Sequence, residues 1–250
     1  MKSVFLLCLL VLLMSACADT NFAESYTENT PEEEARIKLE EKDYDGAITA
    51  YEALIAENPT EYKYYPLLAT AYAANAGVKI IDMVQAQIDS GGSGGAGIFD
   101  TMGTFVPDDP TDAQMTSLNT AIDWLESMPT DHRSDAGLYE YSAEASLSLT
   151  LYLAASSSML LKRYQPPEVT NAEGEEEPAE FTREDLEEMS DEEVDALLDN
   201  LDTIAAQDSS TEANQAVEAQ VEATLESIEA QEGATQKEKL INYLASTEEE

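Results

Sequence analysis

Hydrophobic patterning divides the chain into four zones. An unbroken apolar run, Val4 to Met14, gives way to a polar stretch from Ala18 to Thr30 with no helical period. From Pro31 to about Tyr164, apolar residues recur at steps of three and four, with short breaks between the runs. No part of this zone alternates apolar and polar residues as a half-buried strand does. The steps predict helices near Glu34 to Glu41, Tyr44 to Asn58, Tyr65 to Tyr72, Lys79 to Asp89, Asp112 to Ser127 and Ser134 to Tyr164. Beyond a proline-rich break they predict four more, over 183–189, 191–206, 211–231 and 236–245. The expected class is all-α.

Within Asp43 to Pro59, small Ala47, aromatic Tyr51, apolar Leu54 and closing Pro59 resemble the second helix of a tetratricopeptide repeat. Extending the frame by that family's period of about 34 residues reaches Tyr65, Leu68, Ala69 and Tyr72, a bulky–apolar–small–aromatic set matching the next first helix. Small residues let helices approach and the tyrosines fill the space between them. The resemblance covers roughly residues 28 to 95 and is good over its central half. The preceding first helix lacks the aromatic and the small residue, and Ile81 stands where the family has alanine. The likeness implies packed hairpins, in a right-handed α-solenoid or a bundle, that bind peptides in a groove between first helices. Asn29, Glu32, Arg36, Leu39 and Glu40, then Lys63, Pro66, Thr70, Ala73 and Ala74, would face that groove. The lysine and asparagine set that clamps peptide carboxylates in some members is absent, so an apolar or basic ligand is expected.

A glycine-rich insertion, 91–110, follows, carrying Ile98, Phe99, Met102, Phe105 and Val106 and closing on Pro107 to Pro110. Without a preceding strand or a following Lys-Ser or Lys-Thr it is no phosphate loop. Its five large apolar residues must bury against the domain, a partner or the membrane, and they are the candidate partner-binding set. The run from Ser134 to Tyr164 sets Leu138, Tyr141, Leu149, Tyr152, Leu153, Leu160 and Leu161 among many Ala and Ser. That composition suits tight packing, so this helix is expected to complete the domain over 31–165. Residues 166–181 read as an acidic linker and 182–250 as acidic helices, partly disordered. Thr182 with Asp185 and Ser190 with Glu193 resemble capping signals. Val217, Val221, Leu225 and Ile228 make a narrow stripe suited to one neighbour or a partner.

Charge narrows the partners. The 250 residues carry 12 basic and 52 acidic side chains, and the stretch from Glu168 to Glu250 alone has 27 acidic against 3 basic. Nucleic acid and anionic headgroups, whose binding needs Lys and Arg at phosphate, are poor partners for this chain, and no nucleic-acid partner is expected. The N-terminus supplies a different membrane route. Lys2, the short apolar run and Ser15-Ala16-Cys17 form a secretory-signal pattern over residues 1–16, too short to span a bilayer. Leu13 to Cys17 resembles the lipobox of bacterial lipoproteins, with Met14 where leucine is usual. The resemblance implies cleavage before Cys17, lipid (palmitate included) on its thiol, and a flexible tether over 17–30. Cys8 would leave with the signal, so Cys17 would have no partner for a disulfide, and acylation gives it a use. Ala18 rather than aspartate follows, so the periplasmic face of the outer membrane is expected rather than the inner membrane.

Catalytic chemistry is not legible. His132 is alone between two helices, and acidic pairs are not acid/base machinery without a pocket that separates their pKa values. Asp43 to Gly46 and Asp199 to Asp202 lack the twelve-residue calcium pattern. No enzyme activity, cofactor or specific metal is expected. Two functions remain open: a lipid-anchored scaffold or adaptor for another envelope protein, and a ligand-handling accessory of a transport system that holds a small apolar molecule.

Overall fold

The computed structural model describes residues 29–79, 82, 102–134, 139–165, 169–170, 176–177, 183–207 and 212–247. The signal region, Cys17, most of the helix expected over Lys79 to Asp89, Ile98, Phe99, Leu138, Thr182 and most of the linker lie outside them. The fold is all-α. Its described helices are α1 Pro31–Glu40, α2 Tyr44–Glu57, α3 Tyr64–Asn75, α4 Asp112–Glu126, α5 Thr130–Arg133 and α6 Ser142–Lys162. In the acidic third come α7 Arg183–Glu187, α8 Asp191–Ala205, α9 Glu212–Glu229 and α10 Gln236–Thr247. Inside the expected linker a two-residue antiparallel ladder pairs Val169 with Glu177 and Thr170 with Glu176.

Helix starts follow local chemistry. At Thr30, Thr111 and Ser190 the hydroxyl accepts from the backbone N–H three residues on, while Glu33, Gln114 or Glu193 accepts from the cap's own N–H. These reciprocal pairs satisfy donors that a helix end leaves free. Asp43 caps α2 by accepting from the Gly46 amide at 3.2 Å. Two helix ends close differently. After α1, Asp43 N–H donates to Lys38 O and Lys42 N–H to Leu39 O; after α3, Val78 N–H donates to Ala73 O and Gly77 N–H to Ala74 O. Both turns need a left-handed residue, taken by Lys42 at φ 64° and Gly77 at φ 86°. Gly77 is constrained twice, because a Cβ there would also meet Pro107 Cγ at 3.0 Å.

Consecutive helices pack in hairpins, α1 on α2, α2 on α3 and α3 on α4. Ala47, Tyr51, Leu68 and Ala69 are fully buried, Tyr65 is buried, and Leu54 and Tyr72 pack against the core. Pro59 is exposed, and its carbonyl accepts from the Tyr65 hydroxyl at 2.9 Å.

Helix α6 is the centre of the molecule. Seventeen of its 21 residues are buried, so it has no solvent face and must be covered on all sides. Helices α3, α4, α5, α8 and α9 all pack on it. It starts at Ser142 rather than Ser134, because residues 139–141 turn and bring Tyr139 and Tyr141 over His132. Its buried hydroxyls draw polar partners from both ends of the chain. Thr150 Oγ1 donates to Gln207 Oε1 at 3.1 Å, Asn214 Nδ2 donates to Ser146 Oγ at 3.1 Å, and Asn200 Nδ2 donates to Ser157 Oγ at 3.3 Å. From the N-terminal side, Ser156 Oγ donates to Asn119 Oδ1 at 3.1 Å and Tyr152 shares a 3.1 Å hydrogen bond with Thr70.

The acidic third belongs to this core. Leu186, Val194, Leu197, Leu201, Ile204, Val217, Val221, Ile228 and Leu240 are buried. The narrow stripe of α9 is covered by α6, α8 and α10. Lys237 closes the C-terminal end of α7 by donating to the carbonyls of Glu187 and Met189.

Two buried tyrosines provide a test of polar pairing. Burial raises both hydroxyls to about 12, but only Tyr152 has a partner; the Tyr51 hydroxyl has none among the described residues. A net hydrogen bond is worth about 1 kcal/mol, and an unpaired buried hydroxyl costs stability. Tyr152→Phe should therefore lower stability by about 1 kcal/mol, whereas Tyr51→Phe should leave it unchanged or raise it. Urea unfolding midpoints read by circular dichroism test the contrast.

Candidate functional site

Helices α1 and α3 both lean on α2, and the space between their C-terminal ends is a cavity of about 660 Å³. Leu39, Tyr44, Ala74, Gly77 and Val78 supply its apolar part, Thr70 a hydroxyl, and exposed Glu40, Lys42, Lys79 and Asp82 its charges. The two left-handed turns shape one end of it, since Lys42 and Gly77 are both in the lining. Beneath Thr70 lies Tyr152 of α6, so the buried helix supports the site from below.

The N-terminal ends of the same two helices are tied together. Glu32 Oε2 accepts from Lys63 Nζ at 2.9 Å and from the Tyr64 hydroxyl at 3.0 Å. The Lys63 hydrogen bond holds the Glu32 carboxyl below its ordinary range against the opposing effect of burial, and Tyr64 adds to it. The same bond raises Lys63. With this clasp at one end and two tight turns at the other, the space between α1 and α3 is braced along its length.

Of the ten expected groove positions, Leu39, Glu40, Thr70 and Ala74 line the cavity. Glu32 and Lys63 form the clasp, and Arg36 pairs with Glu40 at 3.7 Å on the exposed side of α1. Pro66 and Ala73 face inward and are buried, while Asn29 is exposed. Of the insertion's expected partner-binding residues, Met102 and Val106 are buried in the core and half-buried Phe105 packs against it. Lys79 N–H donates to Phe105 O at 2.9 Å, which fixes the return of the insertion beside the cavity.

Sequence reasoning missed an aromatic cluster around the single histidine. His132 Nδ1 and the Tyr141 hydroxyl are hydrogen-bonded at 2.6 Å, and the His132 ring stacks on Tyr139 at 3.9 Å between centroids. Tyr62 lies 4.4 Å from His132 and extends the cluster to Tyr65 and Trp124. The rings come from separate segments, which no local spacing could bring together. Among the described residues there is no group of three or more His, Cys, Asp or Glu placed to hold a metal, and no helix long and apolar enough to cross a membrane. Comparison with protein-family models, with curated proteins and with solved structures finds no match to this chain.

The Glu32 clasp carries a pH signature with a definite sign. A carboxyl lowered in the folded state stabilises above its unfolded value, about 4.3, and that contribution fades as pH falls through the lowered folded value. Both side chains are more than a third exposed, so screening holds the effect below about 1 kcal/mol. Glu32→Gln should therefore lower stability slightly at pH 7 and not at all at acid pH below the folded value. Urea titrations of both proteins across that range check it.

Proposed function

We propose that this chain is a lipid-anchored adaptor of the bacterial envelope, tethered through Cys17, that holds an apolar segment of another envelope protein between α1 and α3. The observation that carries the reading is the braced cavity at the positions where a tetratricopeptide-like frame puts its peptide groove. Its apolar lining suits an apolar side chain, and the exposed Lys42, Lys79, Glu40 and Asp82 supply polar contacts for the flanking backbone. The chain's acidity agrees with a protein partner rather than nucleic acid. Lipid on Cys17 would hold the domain at the outer membrane, facing the periplasm.

The cavity volume also favours a second reading. About 660 Å³ falls among small-molecule sites, which are concave, largely apolar and a few hundred to a thousand Å³. A ligand-handling accessory of a transport system would use the same walls for a small apolar molecule.

One experiment separates the two. Ala74→Trp fills the cavity, and Cys17→Ser removes the acceptor for lipid. Pull-down from crosslinked membranes should recover one reproducible protein with the wild-type chain and lose it with Ala74→Trp. Cys17→Ser should abolish palmitate labelling and release the chain from the membrane fraction. Recovery of no protein, with a co-purifying apolar compound that Ala74→Trp displaces, would replace the adaptor by the second reading.

A further inference from the structure

A second groove runs between α4 and α8. Both helices pack on α6, and α6 forms the floor between them. The resulting cleft has a volume of about 400 Å³. Leu153 and Leu160 supply its apolar floor, with Asp123 and Glu126 on the α4 wall and Asp199 on the α8 wall.

The charge balance of this cleft is one-sided. Neither α4 nor α8 contains a single Lys or Arg, and none lines the cleft. Asp123, Glu126 and Asp199 are exposed and hold no ion pair or side-chain hydrogen bond among the described residues. The basic residues at the C-terminal end of α6 are already committed: Lys162 pairs with Asp108 at 2.7 Å, and Arg163 pairs with Asp112 of α4 at 3.1 Å and Glu193 of α8 at 3.7 Å, tying the two walls together at one end of the cleft. Three neutral polar groups of the lining are committed too, since Ser156 of the floor donates to Asn119 of the α4 wall and Asn200 of the α8 wall donates to Ser157. Beyond that bridged end, the cleft has a buried apolar floor and, on its walls, the carboxylates of Asp123, Glu126 and Asp199 that no basic residue of the lining neutralises. The α1–α3 cavity differs in kind, because Lys42 and Lys79 stand in its lining.

We infer that the α4–α8 groove docks a basic amphipathic segment of a protein partner. A helix laid in a groove places apolar residues at steps of three and four on the floor. Lys and Arg stems cover apolar surface while their charged ends reach outward, here to Asp123, Glu126 and Asp199. A simple inorganic cation would leave the apolar floor unused, and nucleic acid would be repelled. The site is independent of the α1–α3 cavity, so either can fail without the other.

The test is calorimetric titration of the full chain, in non-ionic detergent, with a synthetic amphipathic leucine–lysine peptide of about four helical turns. Saturable one-to-one binding is expected. Joint Asp123→Lys and Asp199→Lys should weaken it tenfold or more, and so should Ala196→Trp, which fills the cleft without changing charge. Asp123→Asn with Asp199→Asn is a gentler pair that should weaken it severalfold and keeps the test valid if the reversal does not fold. Glu222→Lys with Glu226→Lys, on the exposed face of α9, makes the same charge change elsewhere and should alter affinity less than twofold. Ala74→Trp should leave binding unchanged. The inference is overturned if binding is not saturable, if the α9 pair weakens it as much as the cleft pair, if Ala196→Trp has no effect, or if Ala74→Trp abolishes it.

Discussion

Everything in this molecule depends on burying α6. A helix of 21 residues with 17 of them out of solvent cannot stand at an edge, so other helices must wrap it. Its sequence is suited to that position by smallness as much as by hydrophobicity, because Ala and Ser at close approach let five helices share one axis. The cost of such a sequence is a row of buried hydroxyls that need partners in a low-dielectric interior. Thr70 and Asn119 answer from before α6, and Asn200, Gln207 and Asn214 from after it. The acidic third is thereby part of the core rather than an appendage. The acidic residues of α8 sit on its exposed positions while Val194, Leu197, Leu201 and Ile204 turn inward.

Both grooves arise from one packing geometry. Helices that share a support but are separated from each other leave a channel above it, and this happens twice: α1 and α3 over α2, and α4 and α8 over α6. The first is closed at its ends by the Glu32 clasp and the Lys42 and Gly77 turns, and its lining is mixed in charge. The second is bridged at one end by Arg163, which pairs with Asp112 of α4 and Glu193 of α8, and the charged residues of its lining are all acidic. The proposed adaptor would use these two surfaces of different chemistry to meet two different segments.

The fold was legible wherever local rules decide. The reciprocal cap at Ser190 with Glu193 marks the start of α8, and the four-four-three stripe from Val217 to Ile228 marks the face that α9 buries. The buried set Ala47, Tyr51, Leu68 and Ala69 was legible from its spacing. Tertiary effects were not. The apolar pattern continues through Tyr139 and Tyr141, so it places the start of α6 too early. The actual break is set by stacking on His132, a contact across elements. Met102 and Val106 look like surface on offer in a glycine-rich segment, and only the packed structure shows their area already used. Of the groove positions, Leu39, Glu40, Thr70 and Ala74 were found from the repeat frame, whereas Lys42, Gly77 and Val78 enter through turn geometry that the frame does not encode.

The central claim is that α6 binds the N-terminal hairpins and the acidic third into one cooperative unit. Trp124, the only tryptophan, reports on the first part from α4, and amide hydrogen exchange in α8 and α9 reports on the second. Equilibrium urea unfolding followed by both probes should give a single transition with coincident midpoints. Exchange of α8 and α9 at urea concentrations where the Trp124 signal is still native would show two separate units and contradict the account.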